Sequence, residues 1–513
     1  EMCIRDSDCS ADFKNLRDGS HIMPLMVSRA ISYDRSVAVA SATVFLFPTE
    51  EHPEIVSEDV VDGYPAMKFV TDLKKGQTLE FSLMGAVTNS IEFPNLDADV
   101  ERMAVYALRS DPDTLVDGHK KEWERLWESD IIIEGDAESQ RDVRLALYHL
   151  YSFGGEGTRN SIAPMGLSTV TGYNGHVFWD TEMWMYPPLL MLNQDMARSC
   201  IDYRTDRLTQ ACRRARHYGF GGAMYPWESD RSGEEATPTW CLTGTFEHHI
   251  SADIAIAFWN YYRVTRDVDW LRSEGYEVMK NVADFWKSRA TLNTDGSYSI
   301  KNVVGANEYA ANIDDNAFTN GAAKRALEYT VKAADVVGVA PDPKWKKIAD
   351  GLKFYQMSDG TTMEHSKYAG EIVKQADVNL LAYPLEIVTD RNRILADVEY
   401  YAKKIDGNGP AMGNSILAIL YSQSGDADKA YEFFHKAFVP NKRPPFGVLS
   451  ESANSNNPYF CTGAGGLIQV VLSGFAGLRF TDNGIEQTYT CLPIGWKSLT
   501  TVSYTHLRAH ETV

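Results

Sequence analysis

The stretch FEHHISADIAIAFWNYYRVT (residues 246–265) places Phe246, Ile250, Ile254, Phe258 and Tyr262 at successive i+4 steps. That spacing lines one face of an α-helix with apolar groups and predicts a core-facing stripe. Upstream, SQRDVRLALYHLYSF (139–153) opens on a capping residue, Ser139, with an acid in its early turns. Downstream the pattern recurs in DVDWLRSEGYEVMKNVADFWKSRA (267–290), AAKRALEYTVKAADVVG (322–338), DVEYYAKKI (397–405) and NSILAILYSQSG (414–425). Helices recurring in pairs, separated by long loops, predict a helical toroid. No fixed repeat period accompanies them, which argues against a simple solenoid.

The flanks of this helical region read differently. SVAVASATVFLF (36–47) and LEFSLMGAVTNS (79–90) are rich in Val, Thr and Phe, and turn-like stretches lie between them. They predict part of an antiparallel sandwich. HKKEWERLWES, with Trp123 and Trp127 one helical step apart, predicts a helical stretch from about 98 to 129. GLRFTDNGIEQTYTCLP (477–493) returns to strand, with Asp-Asn-Gly as its turn. The expected class is therefore multidomain α+β. EMCIRDS at the start and VSYTHLRAHETV at the finish fit no neighbouring pattern. They read as translated adapter sequence, so residues 1–7 and 502–513 are set aside from the fold.

At 513 residues, several domains are expected. Apolar residues at 44% and charged residues at 23% are ordinary globular values. A net charge of −20 argues against a nucleic-acid backbone as partner. No run of 18 apolar residues is present to cross a membrane. The seven cysteines show neither CxxC nor ligand-like spacing, which counts against structural zinc and a dense disulfide framework. The compartment stays open, with a periplasmic or extracytoplasmic setting favoured.

The chemistry concentrates in loops between helices. GHVFWDTEMWMYPP (175–188) packs Trp179, Asp180, Glu182 and Trp184 together, and MYPWESDRSGEE (224–235) sets Trp227 beside Glu228. GANEYAANIDDNAFTN (305–320) carries Glu308, and VKQADVNL (373–380) offers Lys374, Gln375 and Asp377. Aromatic platforms beside carboxylates, amides and a lysine suit a polyhydroxylated ligand, because sugars present apolar faces and paired hydroxyls.

In this order SIAPMGLS, GYNGHVFWDTEMWM, YPWESDRSGEE, EHHISADIAIAFWNYY, NEYAANIDDNAFTN and KQADV resemble glycoside hydrolase family 65. The likeness spans roughly residues 30–500. It implies an N-terminal β-sandwich (8–97), a helical linker (98–138), an (α/α)6 barrel (139–476) and the start of a C-terminal β-region (477–501). It also implies an enzyme that inverts α-glucosides, with Glu308 as general acid. Trp179 with Asp180, Trp227 with Glu228, and Lys374 with Gln375 would hold the non-reducing glucose. Many members carry Pro-Asp before the acid and His after the following Tyr, where this chain has Ala306, Asn307 and Ala310. A small carbohydrate is the expected partner, with no metal or organic cofactor, and homodimers are common in such families.

Inversion needs an acid to protonate the glycosidic oxygen while a nucleophile attacks C1 from the opposite face. In a hydrolase a second carboxylate activates water, about 6.5–9.5 Å from the acid. In a phosphorylase phosphate attacks, and a carboxylate at about 4 Å would oppose it by roughly 4 kcal/mol at an effective dielectric near 20. PPFGVLSESANSNN (444–457) bears on this choice, because Glu451 is its one charged residue. In the hydrolase branch a catalytic Glu is expected in this loop. Glu451 is accordingly read as general base, with a phosphorylase as the rival reading and a carbohydrate-binding relic as the third. Asp314 and Asp315 are read as capping or solvated groups, His248, His249 and Asp253 as packing and sugar-bonding residues, and GAGG (463–466) as a helix-packing stretch. Glu182 and Glu228 can both be read as structural groups holding their aromatic neighbours, with Glu228 the favoured ligand of the two.

Overall fold

The structure is a computed structural model that describes residues 9–18, 21–32, 35–48, 52–61, 64–457 and 459–502. The terminal segments read as adapter sequence lie outside these residues, apart from Val502. The chain divides into two compact units after Trp127.

In the first unit, strands Cys9–Asp18, His21–Ile31, Ala38–Leu46 and Ser82–Asn89 form one antiparallel sheet in that order. Ala40, Ala42, Val44 and Leu46 alternate inward along the third strand, and Ala42 sits opposite Ala86. Leu96, Val100 and Ala104 of helix Leu96–Leu108 join the same core, so one apolar strand face is closed by one apolar helix stripe. A separate hairpin pairs Val56–Val61 with Tyr64–Lys68. Helix Pro112–Leu126 follows, started by Asp111, whose side chain accepts from Thr114 N, and by a proline at its first position.

The second unit is mainly helical, and its helices fall into two classes. His249–Thr265 is buried from His249 to Arg263 except at Asn260. The single apolar stripe expected here is thus a helix buried on every side. Phe246, its supposed first member, lies in the short turn Thr243–Phe246 instead. Tyr186–Leu192 and Cys461–Gln469 are likewise buried throughout. Ala427–Phe438, by contrast, buries Ala430, Phe433, Phe434, Ala437 and Phe438, one stripe at helical spacing. Tyr276–Arg289 does the same with Val278, Met279, Val282, Ala283, Phe285 and Trp286. The unit thus combines helices buried throughout with amphipathic helices that bury one stripe each. The return to strand is a hairpin of Leu478–Thr481 with Gly484–Gln487, and Ser498–Val502 pairs with Asp130–Glu134.

Two local readings are corrected. Helix Ala137–Phe153 starts before Ser139; its cap is Asp136, which accepts from Glu138 N and Ser139 N. At helix Ala317–Val337 the cap is Asn316, which accepts from Thr319 N. Asp315 is buried at φ +55° and accepts from Ile300 N and Ser299 Oγ, bracing the preceding strand. Asp314 accepts from Asn302 N.

The glycine run 463–466 does pack helices. A Cβ on Gly465 would lie 2.5 Å from the Trp184 carbonyl oxygen, and one on Gly463 would lie 2.9 Å from Ala411 Cβ. Gly465→Ala is expected to destabilise the second unit by about 1–3 kcal/mol or more through overpacking. A lowered urea midpoint, set beside an unchanged one for Gly407→Ala, whose Cβ would meet nothing within 4 Å, checks this.

Candidate active site

Chain segments far apart in sequence build the site. Val177 and Ser229 form an isolated antiparallel bridge, each N–H donating to the other's carbonyl at 2.9 Å. This bridge sets Trp179-Asp180 beside Trp227-Glu228. The second pair is fixed further by Glu235, whose carboxylate accepts from Trp227 N at 2.8 Å and Glu228 N at 3.0 Å. Glu228 in turn meets His176 Nδ1 at 2.7 Å. Glu308 enters from the loop before helix Ala317–Val337 and takes Lys374 Nζ at 2.7 Å. Gln375 Nε2 donates to the Ala306 carbonyl at 2.7 Å, tying the two loops together.

Glu451 follows the small hairpin Lys442–Arg443 with Val448–Leu449. Its carboxylate accepts from Tyr173 Oη at 2.6 Å and Asn457 Nδ2 at 3.1 Å. Arg443 is the nearby cation, but its guanidinium is spent on loop carbonyls, Ser455 at 2.9 Å and Ala453 at 2.7 Å. Tyr173 and Asn174 both hold positive φ, +57° and +49°. Such backbone costs on the order of 1–3 kcal/mol per residue. Here it turns the Tyr173 hydroxyl onto Glu451.

All eight residues singled out above, Glu308, Glu451, Trp179, Asp180, Trp227, Glu228, Lys374 and Gln375, line one pocket with about 1070 Å³ of open space. Tyr173, Asn174, Thr237, Pro238 and Trp240 line it as well, and Trp240 is 82% exposed. Lys374 is the one cation among the lining residues, against four carboxylates. Burial works against its charge, and Glu308 outweighs that, raising its pKa. Burial pushes the Asp180 carboxyl up to about 7; the Thr462 hydroxyl, donating at 2.6 Å, restrains it, while Glu451 and Glu308 add to the rise.

Beneath the pocket, His249 is wholly buried between Asp253 Oδ2 (2.8 Å) and Glu247 Oε1 (2.9 Å). Its ring packs against Trp179, Trp227 and Phe318 at centroid distances of 4.8, 5.4 and 4.8 Å. Burial opposes a charge there, but the two carboxylates prevail and lift the imidazole to about 10. His248 lies elsewhere, its Nε2 on the Thr245 carbonyl. Glu182 is buried against Arg204, as a structural acid would be. Among the described residues no group of three His, Cys, Asp or Glu is arranged to hold a metal ion. Tyr173, Asn457, Thr462, His176 and Glu235 are the site residues that sequence reading passed over. Tyr173 and His176 stood inside the quoted GYNGHVFWD motif, and Thr462 beside the glycine run.

A helical body around a pocket of paired tryptophans and four carboxylates is the class of site that suits a polyhydroxylated ligand. The family model for the glycosyl hydrolase family 65 central catalytic domain matches residues 144–350. A kojibiose hydrolase of Flavobacterium johnsoniae is 46% identical over 492 residues, covering 95% of this chain and 72% of the relative. One of Mucilaginibacter mallensis is 45% identical, covering 93% and 71%. A solved putative kojibiose phosphorylase from the human microbiome shares the fold, with a TM-score of 0.74 at 19% identity over 95% of this chain and 71% of that one. The chain belongs to glycoside hydrolase family 65.

Thr462→Val is expected to raise the Asp180 pKa further, because it removes a hydrogen bond that favours the charged form. A bond to a charged group is worth about 1.5–3 kcal/mol, or about one to two pH units. Glucose binding to the variant should weaken near neutrality and recover as pH rises, which calorimetry across pH reads directly.

Proposed function

We propose that the chain is an inverting exo-acting α-glucosidase that hydrolyses an α-linked glucose disaccharide or glucosyl conjugate, of the kojibiose, nigerose or trehalose kind. Glu308 is the general acid and Glu451 the general base that activates water. Trp179, Asp180, Trp227, Glu228, Lys374 and Gln375 hold the non-reducing glucose. The helical body is read as an (α/α)6 barrel, with the first unit as part of a β-sandwich and a linker. The two kojibiose hydrolase relatives support the substrate class.

The observation that carries the reading is Glu451 itself, held by Tyr173 and Asn457 in the pocket that Glu308 also lines. Tyr173 and Asn457 occupy one carboxylate oxygen each and fix its direction. A water polarised there would lose its proton to Glu451 as its oxygen attacks C1. At the other end Glu308 gives its proton to the glycosidic oxygen as that bond breaks, leaving β-glucose and the second sugar. Lys374 stands beside Glu308, poised to exchange this contact for sugar hydroxyls. A phosphate nucleophile would enter against Glu451 with no free cation among the lining residues to receive it.

Glu308→Gln is expected to lower kcat on a disaccharide by about 10²–10⁴-fold, and Glu451→Gln similarly. Glucose release from kojibiose should proceed in phosphate-free buffer as the β-anomer, followed by NMR. Turnover that appears only on adding phosphate, with glucose 1-phosphate formed, would overturn the role of Glu451.

A further inference from the structure

The acid and its neighbouring cation sit on two loops, 304–316 and 371–378, and besides the Gln375 tie and the Lys374–Glu308 pair the Asn307 side chain joins them. Asn307 Oδ1 accepts from Lys374 N at 2.8 Å, while its Nδ2 donates to Glu364 Oε1 at 3.0 Å. Its backbone N–H donates to Asp377 Oδ2 at 3.3 Å. Glu364 and Asp377 are 0% and 2% exposed, so this is an interior anchor rather than a surface network. The anchor is itself fixed to the start of helix Ala317–Val337. Asp377 takes Asn316 Nδ2 at 2.9 Å, and the Glu364 backbone carbonyl takes Ala317 N at 2.7 Å.

Residue type matters at 307. A carboxamide offers donor and acceptor in one rigid plane, and here each is used on a different partner. Burial, with Asp377 alongside, raises the Glu364 carboxyl well above the usual carboxylate range, which favours a neutral acceptor for the amide over a second anion there.

We propose that Asn307 is a positioning residue for the reaction: by locking the Glu308 loop to the Lys374 loop through buried Glu364 and Asp377, it sets the angle at which the acid meets the leaving oxygen. Asn307 lines no part of the pocket and acts through its neighbour. The inference rests on Glu308 being the general acid. Misplacement of a catalytic group by about 1 Å costs on the order of 10²-fold.

The test compares kojibiose with α-glucosyl fluoride, whose leaving group needs little protonation. Asn307→Ala should lower kcat on kojibiose by about 10²-fold while the fluoride changes only about threefold. Asn307→Ser, too short to span Glu364 and the Lys374 backbone, should show the same split and serves if the alanine variant does not fold. Glu364→Gln, neutral and of equal shape, should stay within about threefold of the parent on both substrates. A parallel loss on both substrates, or no loss on either, overturns the positioning role. Glu308→Gln is run alongside: if it too loses both in parallel, the acid assignment falls and this inference falls with it. If it shows the split and Asn307→Ala does not, the inference alone falls.

Discussion

Charge buried beneath the pocket is the constraint on which the second unit depends. A pocket that binds hydroxyls needs carboxylates at the centre of an apolar helical body, and an unpaired buried ion costs several kcal/mol. The buried groups here are answered by partners, some a turn away in the chain and some far from it in sequence. Arg204 closes on Glu182 in bidentate fashion, at 2.7 and 3.0 Å. His249 sits between two carboxylates, and Asp180 takes the Thr462 hydroxyl. The His249 ring also carries the edges of both pocket tryptophans, so the charge balance of the floor and the shape of the binding surface are one problem with one solution.

Residues that announce themselves by chemistry are legible in the sequence. Tryptophan-acid pairs, the acid of NEYA and the isolated Glu451 are local signals, and all of them face one pocket. Their supports are not local. Tyr173 lies 278 positions from Glu451, and Thr462 lies 282 from Asp180. A tyrosine or threonine at such a remove carries no mark of its future partner, so only the fold reveals the pairing. Glu235 was hidden differently: it sits in a charged run where solvation is the ordinary fate, yet a bridge between Ser229 and Glu235 folds it back onto the backbone of Trp227 and Glu228.

The helices were found by periodicity, and the departures have a common cause. The pattern in 246–265 predicts one apolar face, but a helix enclosed by others needs no polar face, and Ser251, Asp253 and His249 are buried with the rest. Asp314 and Asp315 looked like caps because they precede a helix. Asn316 takes that place, since capping requires the residue immediately outside the first turn, and Asp315 instead spends both oxygens on residues 299 and 300. Ser139 yields to Asp136 for the same reason, and its hydroxyl becomes a donor to that cap at 2.6 Å.

The bridge between Val177 and Ser229 has a bearing on how such pockets diversify. Two hydrogen bonds, rather than a sheet, align the two tryptophan-acid pairs. A second bridge joins Ser229 to Glu235, and Thr237 donates from its N–H and hydroxyl to the Glu235 carboxylate, so the segment is pinned as far as Thr237 and the exposed Trp240 lies beyond these ties. Exchanges at Trp240 would alter what the mouth of the pocket meets without touching the Glu235 bonds that hold Trp227 and Glu228. The mouth of the pocket is in this way mechanically uncoupled from its floor.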